Sequence, residues 1–201
     1  MMPRGIIIFG AMGTGKTTLG KELAQRLHYK HFDLDDYHMR WDTEIPFTAF
    51  HTKEDKTERL MDDISQYPHF VMSGQMWSIR KTFEPFFDLA VFITAPTEIC
   101  VDRCRLRALE RWGNRVLLGG DMYEYYLNHL ISAKQYATGE PPSVCLKRDE
   151  QWITELPCPV LRIDGTKAIG ENAIWLAEQY LSAQLLNPTL FIKRINFGTI
   201  I

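Results

Sequence analysis

Lys16, Thr17 and Thr18 close a run that carries three glycines, Gly10, Gly13 and Gly15, in "GAMGTGKTT". The spacing matches Gly-x-x-x-x-Gly-Lys-Ser/Thr, and each fixed residue has a chemical reason. Glycines let a backbone wrap closely around an anion and turn successive N–H groups inward. The segment from Lys16 has a helical pattern, so its free first-turn N–H groups and positive dipole end face the same centre. Lys16 would reach the β- and γ-phosphates of a nucleotide, and the Thr17 hydroxyl would ligate Mg²⁺. Gly10, Gly13, Thr14, Gly15, Lys16, Thr17 and Thr18 are therefore the candidate cofactor contacts, with ATP and Mg²⁺ as the ligands. A dinucleotide fingerprint is rejected, because it would need a small residue where Thr18 stands and gives Lys16 no role.

The next groups able to do chemistry are acids. Asp33 and Asp35 in "HFDLDDYH" alternate with Leu34, which in a strand would project both carboxylates from one face at its C-terminal end. Open parallel sheets bind ligands at that edge. Motor-type ATPases carry a magnesium aspartate at the end of a later strand. Here the later strands end in Ser73-Gly74 and Ala95-Pro96, with no acid. Two carboxylates this close to a triphosphate would repel it unless Mg²⁺ or a substrate proton lies between. Arginines complete the set: Arg103, Arg107 and Arg111 recur every four residues on one side of a helical segment. Like charges at that spacing cost a few tenths of a kcal/mol per pair, a penalty that a bound anion would remove.

Positioning these groups requires elements, and the pattern supplies them. Apolar runs bounded by breakers alternate with segments of helical period, the signature of a parallel sheet with helices on both faces. The expected strands are 4–9, 30–34, 69–73, 89–94 and 160–163. The expected helices are 16–27, 53–66, 97–112, 122–136 and 168–185, with shorter ones over 78–86 and 149–155. Residues 37–52, 111–121 and 139–148 are too long for plain connectors, and insertions of this size are often functional. The stretch after Pro188 has no helical period and stays unassigned.

Bulk composition narrows the class. The 201 residues suit one domain, and 45% hydrophobic with 24% charged residues is ordinary for a soluble globular protein. A net charge of −2 argues against nucleic acid or an anionic membrane as a partner. The four cysteines form no Cys-x-x-Cys pair, and the six histidines supply no zinc partners at sensible spacing, which points to a reduced setting. The first apolar run, residues 6–9, is too short for a signal peptide, and no run approaches the ~18 apolar residues of a membrane span. A cytoplasmic location is expected.

With "GAMGTGKTT" after a first strand and "DLD" closing the second, the chain resembles the small phosphate-loop kinases around shikimate, gluconate and adenylate kinase. The resemblance spans most of residues 4–184 and also rests on "CVDRCRLRALERWGNRV" and "VLRIDGT". It implies an α/β, three-layer P-loop NTPase fold with a five-stranded parallel sheet and helices on both faces. It also implies a kinase domain over 1–187, with an acceptor-binding insert at 37–57 and a lid at 111–121, followed by the unassigned tail 188–201. By that likeness Asp33 would hold Mg²⁺ through water, and Asp35 would orient the acceptor hydroxyl and act as its base. Gly74 would bring backbone close to the acceptor, and Asp164-Gly165 would lie beside the adenine. Arg103 would stack on adenine, Arg107 would clamp phosphates, and Arg115 would sit in the lid.

Two departures from the family are visible. The helix after the lid carries no arginine, and only Lys134 follows closely. Residues 37–52 match neither the shikimate nor the gluconate pattern. They offer His38, Arg40, Trp41, Phe47, Phe50 and His51, and Arg80 after "SGQMWS" is a second acceptor anchor. The expected activity is a Mg²⁺-dependent ATP phosphotransferase acting on a small-molecule or nucleotide acceptor, with Lys16, Asp35 and Arg107 as its catalytic set. The rival from another class is a nucleotide-dependent binding module or switch that hydrolyses ATP slowly and has no acceptor. Against the switch counts the lack of an evident water-positioning glutamine beside the loop. A nucleic-acid end kinase would need a basic groove, which the net charge disfavours.

Overall fold

The computed structural model describes residues 2–45 and 48–185; Phe47 and the tail 188–201 lie outside the described residues. Five strands form one parallel sheet in the order β2-β3-β1-β4-β5. They are β1 (Arg4–Phe9), β2 (Lys30–Asp33), β3 (His69–Ser73), β4 (Phe87–Thr94) and β5 (Val160–Asp164). The helices are α1 (Lys16–Leu27), α2 (Asp35–His38), α3 (Lys53–Ser65), α4 (Arg80–Phe83), α5 (Thr97–Trp112), α6 (Tyr123–Gln135), α7 (Leu146–Glu155) and α8 (Ile169–Leu185). No helix of the described residues is long and apolar enough to cross a membrane.

Side chains alternating along β1 serve both faces of the sheet. Ile6 and Ile8 pack with Leu19 and Leu23 of α1 and Leu176 of α8, while Ile7 and Phe9 pack with Leu60 of α3 and Trp152 of α7. A smaller apolar cluster (Val101, Cys104, Leu130 and Ala133, with Met12 against it) joins α5 and α6 beside the glycine turn. The three-layer α/β architecture is as expected, and β4 starts two residues earlier than the apolar pattern alone suggested.

The second strand departs from expectation in a way that matters for the site. β2 stops at Asp33, and Leu34 turns into the right-handed helical region (φ −67°, ψ −20°) to start the one-turn α2. Asp33 and Asp35 therefore do not alternate along a strand face. They are neighbours because the Asp35 N–H donates to Asp33 Oδ1 at 3.2 Å, a local bond that competes with strand extension. Beyond α2 the insert folds back on itself through an antiparallel bridge between Met39 and Phe50, with Arg40 N–H donating to Ala49 O at 3.0 Å. The expected lid contains a short 3₁₀ turn, Gly113–Val116, and the Arg115 guanidinium is paired with Asp121 by a 2.6 Å bond.

Candidate active site

β1 runs out of the sheet into Gly10, and the turn that follows has positive φ at Gly10 (139°), Gly13 (79°) and Gly15 (98°). At Gly13 a Cβ would stand 2.3 Å from the Cys100 carbonyl oxygen, so the packing of α5 excludes a side chain there as firmly as the backbone angle does. Gly15 is the N-cap of α1 and supplies no side-chain cap, so the first-turn N–H groups are left for a ligand. Thr14 is fully buried and its hydroxyl donates to Ala11 O at 2.8 Å; it braces the turn from within. The Lys16 ammonium donates to the same Ala11 oxygen at 2.7 Å. Burial pulls the Lys16 pKa down, opposed by the charges of Asp35 and then Asp149, while the Arg107 charge adds to the depression.

Asp35 faces this lysine. It keeps exposed surface at the mouth of the recess. Even so, the surrounding protein, and then Asp33 beside it, raise its carboxyl above the usual range, and Lys16, His38 and Arg107 act in the opposite sense. Asp36 is raised for the same two leading reasons. Among the described residues no group of three or more His, Cys, Asp or Glu side chains is placed to hold a metal. That donor set suits Mg²⁺, which takes one or two protein oxygens and completes its shell with water and phosphate. The charge of Asp33 raises the Asp35 carboxyl, a repulsion that a divalent cation would relieve. Thr17 and Asp33 are the hydroxyl and carboxylate suited to hold it.

Helix α5 borders the glycine turn. The Arg103 guanidinium donates to Gly165 O at 2.9 Å and to Gly13 O at 3.4 Å, tying the loop after β5 to the turn after β1. Asp164 accepts from Thr166 N–H at 2.8 Å and Thr166 Oγ1 at 2.6 Å, so its carboxylate shapes its own loop. One turn on, Arg107 is exposed, and its charge acts on Lys16, Asp35, Tyr125 and His129. Arg111 reaches the insert, with its guanidinium 5.4 Å from the Trp41 ring centroid.

Comparison with known proteins now has a site to refer to. A family described as "AAA domain" matches residues 6–115, over half of the chain, including the glycine turn, Asp33, Asp35, Arg103, Arg107 and Arg111. The chain belongs to the AAA domain family. The chain is 32% identical over 171 residues to uncharacterized protein YqaC of Bacillus subtilis, covering 85% of the chain and 94% of that protein. It is 29% identical over 110 residues to a shikimate kinase of Neisseria gonorrhoeae, spanning 50% of the chain and 64% of that relative's length. Among solved structures, a shikimate kinase from Acinetobacter baumannii in complex with shikimate superposes with a TM-score of 0.54 at 21% identity, covering 91% and 96% of the two chains. The fold is thus that of the small P-loop kinases.

Three residues expected on the acceptor side also have partners within the chain. Arg80 is held by Glu155 Oε2 at 2.6 Å and by Glu84 at 3.7 Å, and it stacks 4.8 Å from the Trp77 centroid. Its charge fastens α4 to α7. Gly74 is required by fold: with φ at 128°, its absent Cβ would meet Leu34 Cβ at 2.9 Å. Arg40 does line an open cleft of about 680 Å³ together with Asp36, Trp41, Phe50, His51 and Arg59, but its guanidinium is paired with Asp42 at 2.7 Å and 3.1 Å.

Sequence reasoning missed the residues facing the cup from outside the expected motifs. Gln75 donates from Nε2 to Gly10 O at 3.0 Å, so a glutamine does stand beside the loop, and the argument from its absence falls. Its position directly after Ser73-Gly74, at a strand's C-terminal end, was the available signal. On α6, where arginines were sought, Tyr125 and His129 stack at 5.7 Å; their i, i+4 spacing was legible but did not reveal which face turns inward. Burial, with Arg107 and Lys16 nearby, holds the His129 pKa down to about 4, and burial with Asp35 lifts Tyr125 to about 12.

The histidine carries a pH prediction. The unfolded chain takes up this proton near 6.5 and the folded chain only near 4, so stability present above pH 6.5 is lost as pH falls from 6.5 towards 4, by no more than about 3 kcal/mol. Between pH 7 and 5 the wild-type melting temperature should fall further than that of His129→Gln, by on the order of 5 °C. Parallel melting curves for the two chains would remove His129 from that role.

Proposed function

We propose that this protein is a Mg²⁺-dependent ATP phosphotransferase acting on a small-molecule or nucleotide acceptor. The observation that carries the reading is the glycine turn that opens α1 at the C-terminal edge of the sheet, with positive φ at Gly10, Gly13 and Gly15 and the Lys16 ammonium folded onto Ala11 O. The charges of Asp35 and Arg107 act on Lys16, and those of Lys16 and Arg107 act on Asp35. In phosphoryl transfer the protein works by positioning and by neutralising charge. Lys16 and Arg107 hold the charge of the moving phosphoryl group. Asp35 orients the acceptor hydroxyl and takes its proton as the acceptor oxygen bonds to the γ-phosphorus and the bond to the bridging oxygen breaks, releasing ADP; its raised pKa brings it nearer the operating pH than an ordinary aspartate. A bound Mg²⁺, held by Thr17 and Asp33, supplies further charge neutralisation. Arg103, which joins Gly13 to Gly165, fits the adenine side with Asp164, and residues 111–121 fit a lid that excludes water. The free thiols of Cys100, Cys104, Cys145 and Cys158 suit a reducing, cytoplasmic setting.

The acceptor fits the cleft beside Asp36. Two of the cations lining it are engaged, Arg40 with Asp42 and Arg59 with His51 at 2.7 Å, while Trp41 and Phe50 are 44% and 63% exposed. That lining favours an acceptor with a flat ring or apolar face over one anchored by a carboxylate. Screening nucleosides, nucleoside monophosphates, sugars, sugar acids and aminoglycosides for acceptor-stimulated ADP release tests the proposal. Stimulation by a sugar acid alone would contradict the acceptor class. Slow ATP loss that no acceptor accelerates would favour the second reading, a hydrolysing switch, for which Gln75 beside Gly10 is the supporting observation.

A further inference from the structure

Four segments far apart in sequence meet behind the glycine turn at one carboxylate. Asp149, in the first turn of α7, has no exposed surface. Its Oδ2 accepts from the Tyr136 hydroxyl at 2.6 Å and from Gln75 Nε2 at 3.4 Å. The same Gln75 nitrogen donates to Gly10 O at 3.0 Å, so a single –NH₂ group spans the carboxylate and the first residue of the phosphate cup. Tyr136 is the C-cap of α6, and its carbonyl accepts from Leu146 N–H at 2.8 Å, where α7 begins.

This cluster is poorly built for stability. Among the described residues, Gln75 Oε1 is one of five buried side-chain polar atoms without a hydrogen-bond partner, and burial raises the Asp149 carboxyl above its usual range against the bonds of Tyr136, Gln75 and Trp77 and the charge of Lys16. A half-satisfied buried network is worse than apolar filling, and apolar replacement of buried charge is often neutral or stabilising. Packing alone gives no reason for a carboxylate here. Its connections give one: Oδ2 reaches both the cup and the helix after the lid segment.

We propose that Asp149 is a positioning residue for nucleotide binding, holding Gly10 of the phosphate cup through Gln75 and linking the cup to the end of α6 through Tyr136. The proposal rests on the nucleotide-binding part of the reading above. Without the carboxylate the Gln75 amide loses one of its two anchors, Gly10 loses a fixed donor, and the cup must be ordered by the ligand itself.

Calorimetric titration of the full chain with ADP and Mg²⁺ tests this, at a temperature where each variant's circular dichroism matches the wild type. Asp149→Ala and Gln75→Leu should each weaken binding about tenfold. The double variant should be no weaker than either single one, since both cut the same bridge. Asp149→Asn keeps an acceptor oxygen and should stay within about threefold of the wild type. Unchanged affinity in Asp149→Ala, or losses that multiply in the double variant, would overturn the proposal. So would Asp149→Asn binding as weakly as Asp149→Ala, which would make charge rather than the bridge the operative property. If Asp149→Ala does not fold, Tyr136→Phe and Gln75→Leu take its place; both should weaken binding, and unchanged affinity in both overturns the proposal. Failure of the wild-type chain to bind ADP defeats the nucleotide reading itself, whereas wild-type binding with insensitive variants defeats only the role of Asp149.

Discussion

Lys16→Ala should lower acceptor-dependent ADP release to below about a thousandth of the wild-type rate, because a preorganised charge at the transferring group is typically worth about a hundredfold to a thousandfold and this lysine also shapes the loop. The second effect is visible in the ligand-free chain, where the ammonium donates to Ala11 O at 2.7 Å, alongside the Thr14 hydroxyl at 2.8 Å. Losing it removes a cation from the recess and one of two donors that fold the turn back on itself. The charge is also the principal counterweight to Asp35 among the cations that act on it, so its loss should raise the Asp35 pKa further and move the rate profile towards higher pH. Rate measurements across pH, with melting curves to confirm folding, check both parts. A variant turning over at near wild-type speed would exclude Lys16 from the chemistry.

The second large effect is expected at Asp35. Asp35→Asn should reduce kcat by about a hundredfold to ten-thousandfold, the range for loss of a positioned general base, while ATP affinity changes little. The substitution keeps the shape of the side chain and its place at the start of α2, and removes its charge and its capacity to accept a proton. Relieving the repulsion with Asp33, which helps raise the Asp35 pKa, could even tighten nucleotide binding slightly. Separate measurement of kcat and of ATP affinity decides the matter. A larger loss in affinity than in kcat would make Asp35 a nucleotide contact and leave the acceptor proton without a base.

Much of the architecture was legible because its signals are local. The apolar run 4–9, the glycine turn and the helical period after Lys16 lie within one βαβ unit, where each residue's role follows from neighbours a few positions away. The same holds for Arg103 and Arg107 on a single helix. What escaped depends on contacts that no local pattern encodes. The turn at Leu34 was hidden because Asp-x-Asp also satisfies strand alternation, and the deciding bond from Asp35 N–H to Asp33 Oδ1 is a side-chain event. Arg80 looked free in the sequence because its partner Glu155 lies 75 positions away. Asp149 sits 74 positions from Gln75, and as an acid near a helix start it looked like an ordinary dipole partner. The close approach of Leu34 to Gly74 is likewise a contact between segments 40 positions apart.

The segment between α5 and α6 is fastened to itself. Arg115 forms a fork with both Asp121 oxygens, Met122 N–H donates to Arg115 O at 3.0 Å, and Gly120 N–H donates to Leu117 O at 2.8 Å. In the lid role proposed above, a flap stitched in this way would swing as one plate from its two ends and not curl over its neighbour by unravelling. The end at Gly113, with φ at 54° and open space where a side chain would go, is where a stiffer residue should slow the swing without touching anything the plate covers.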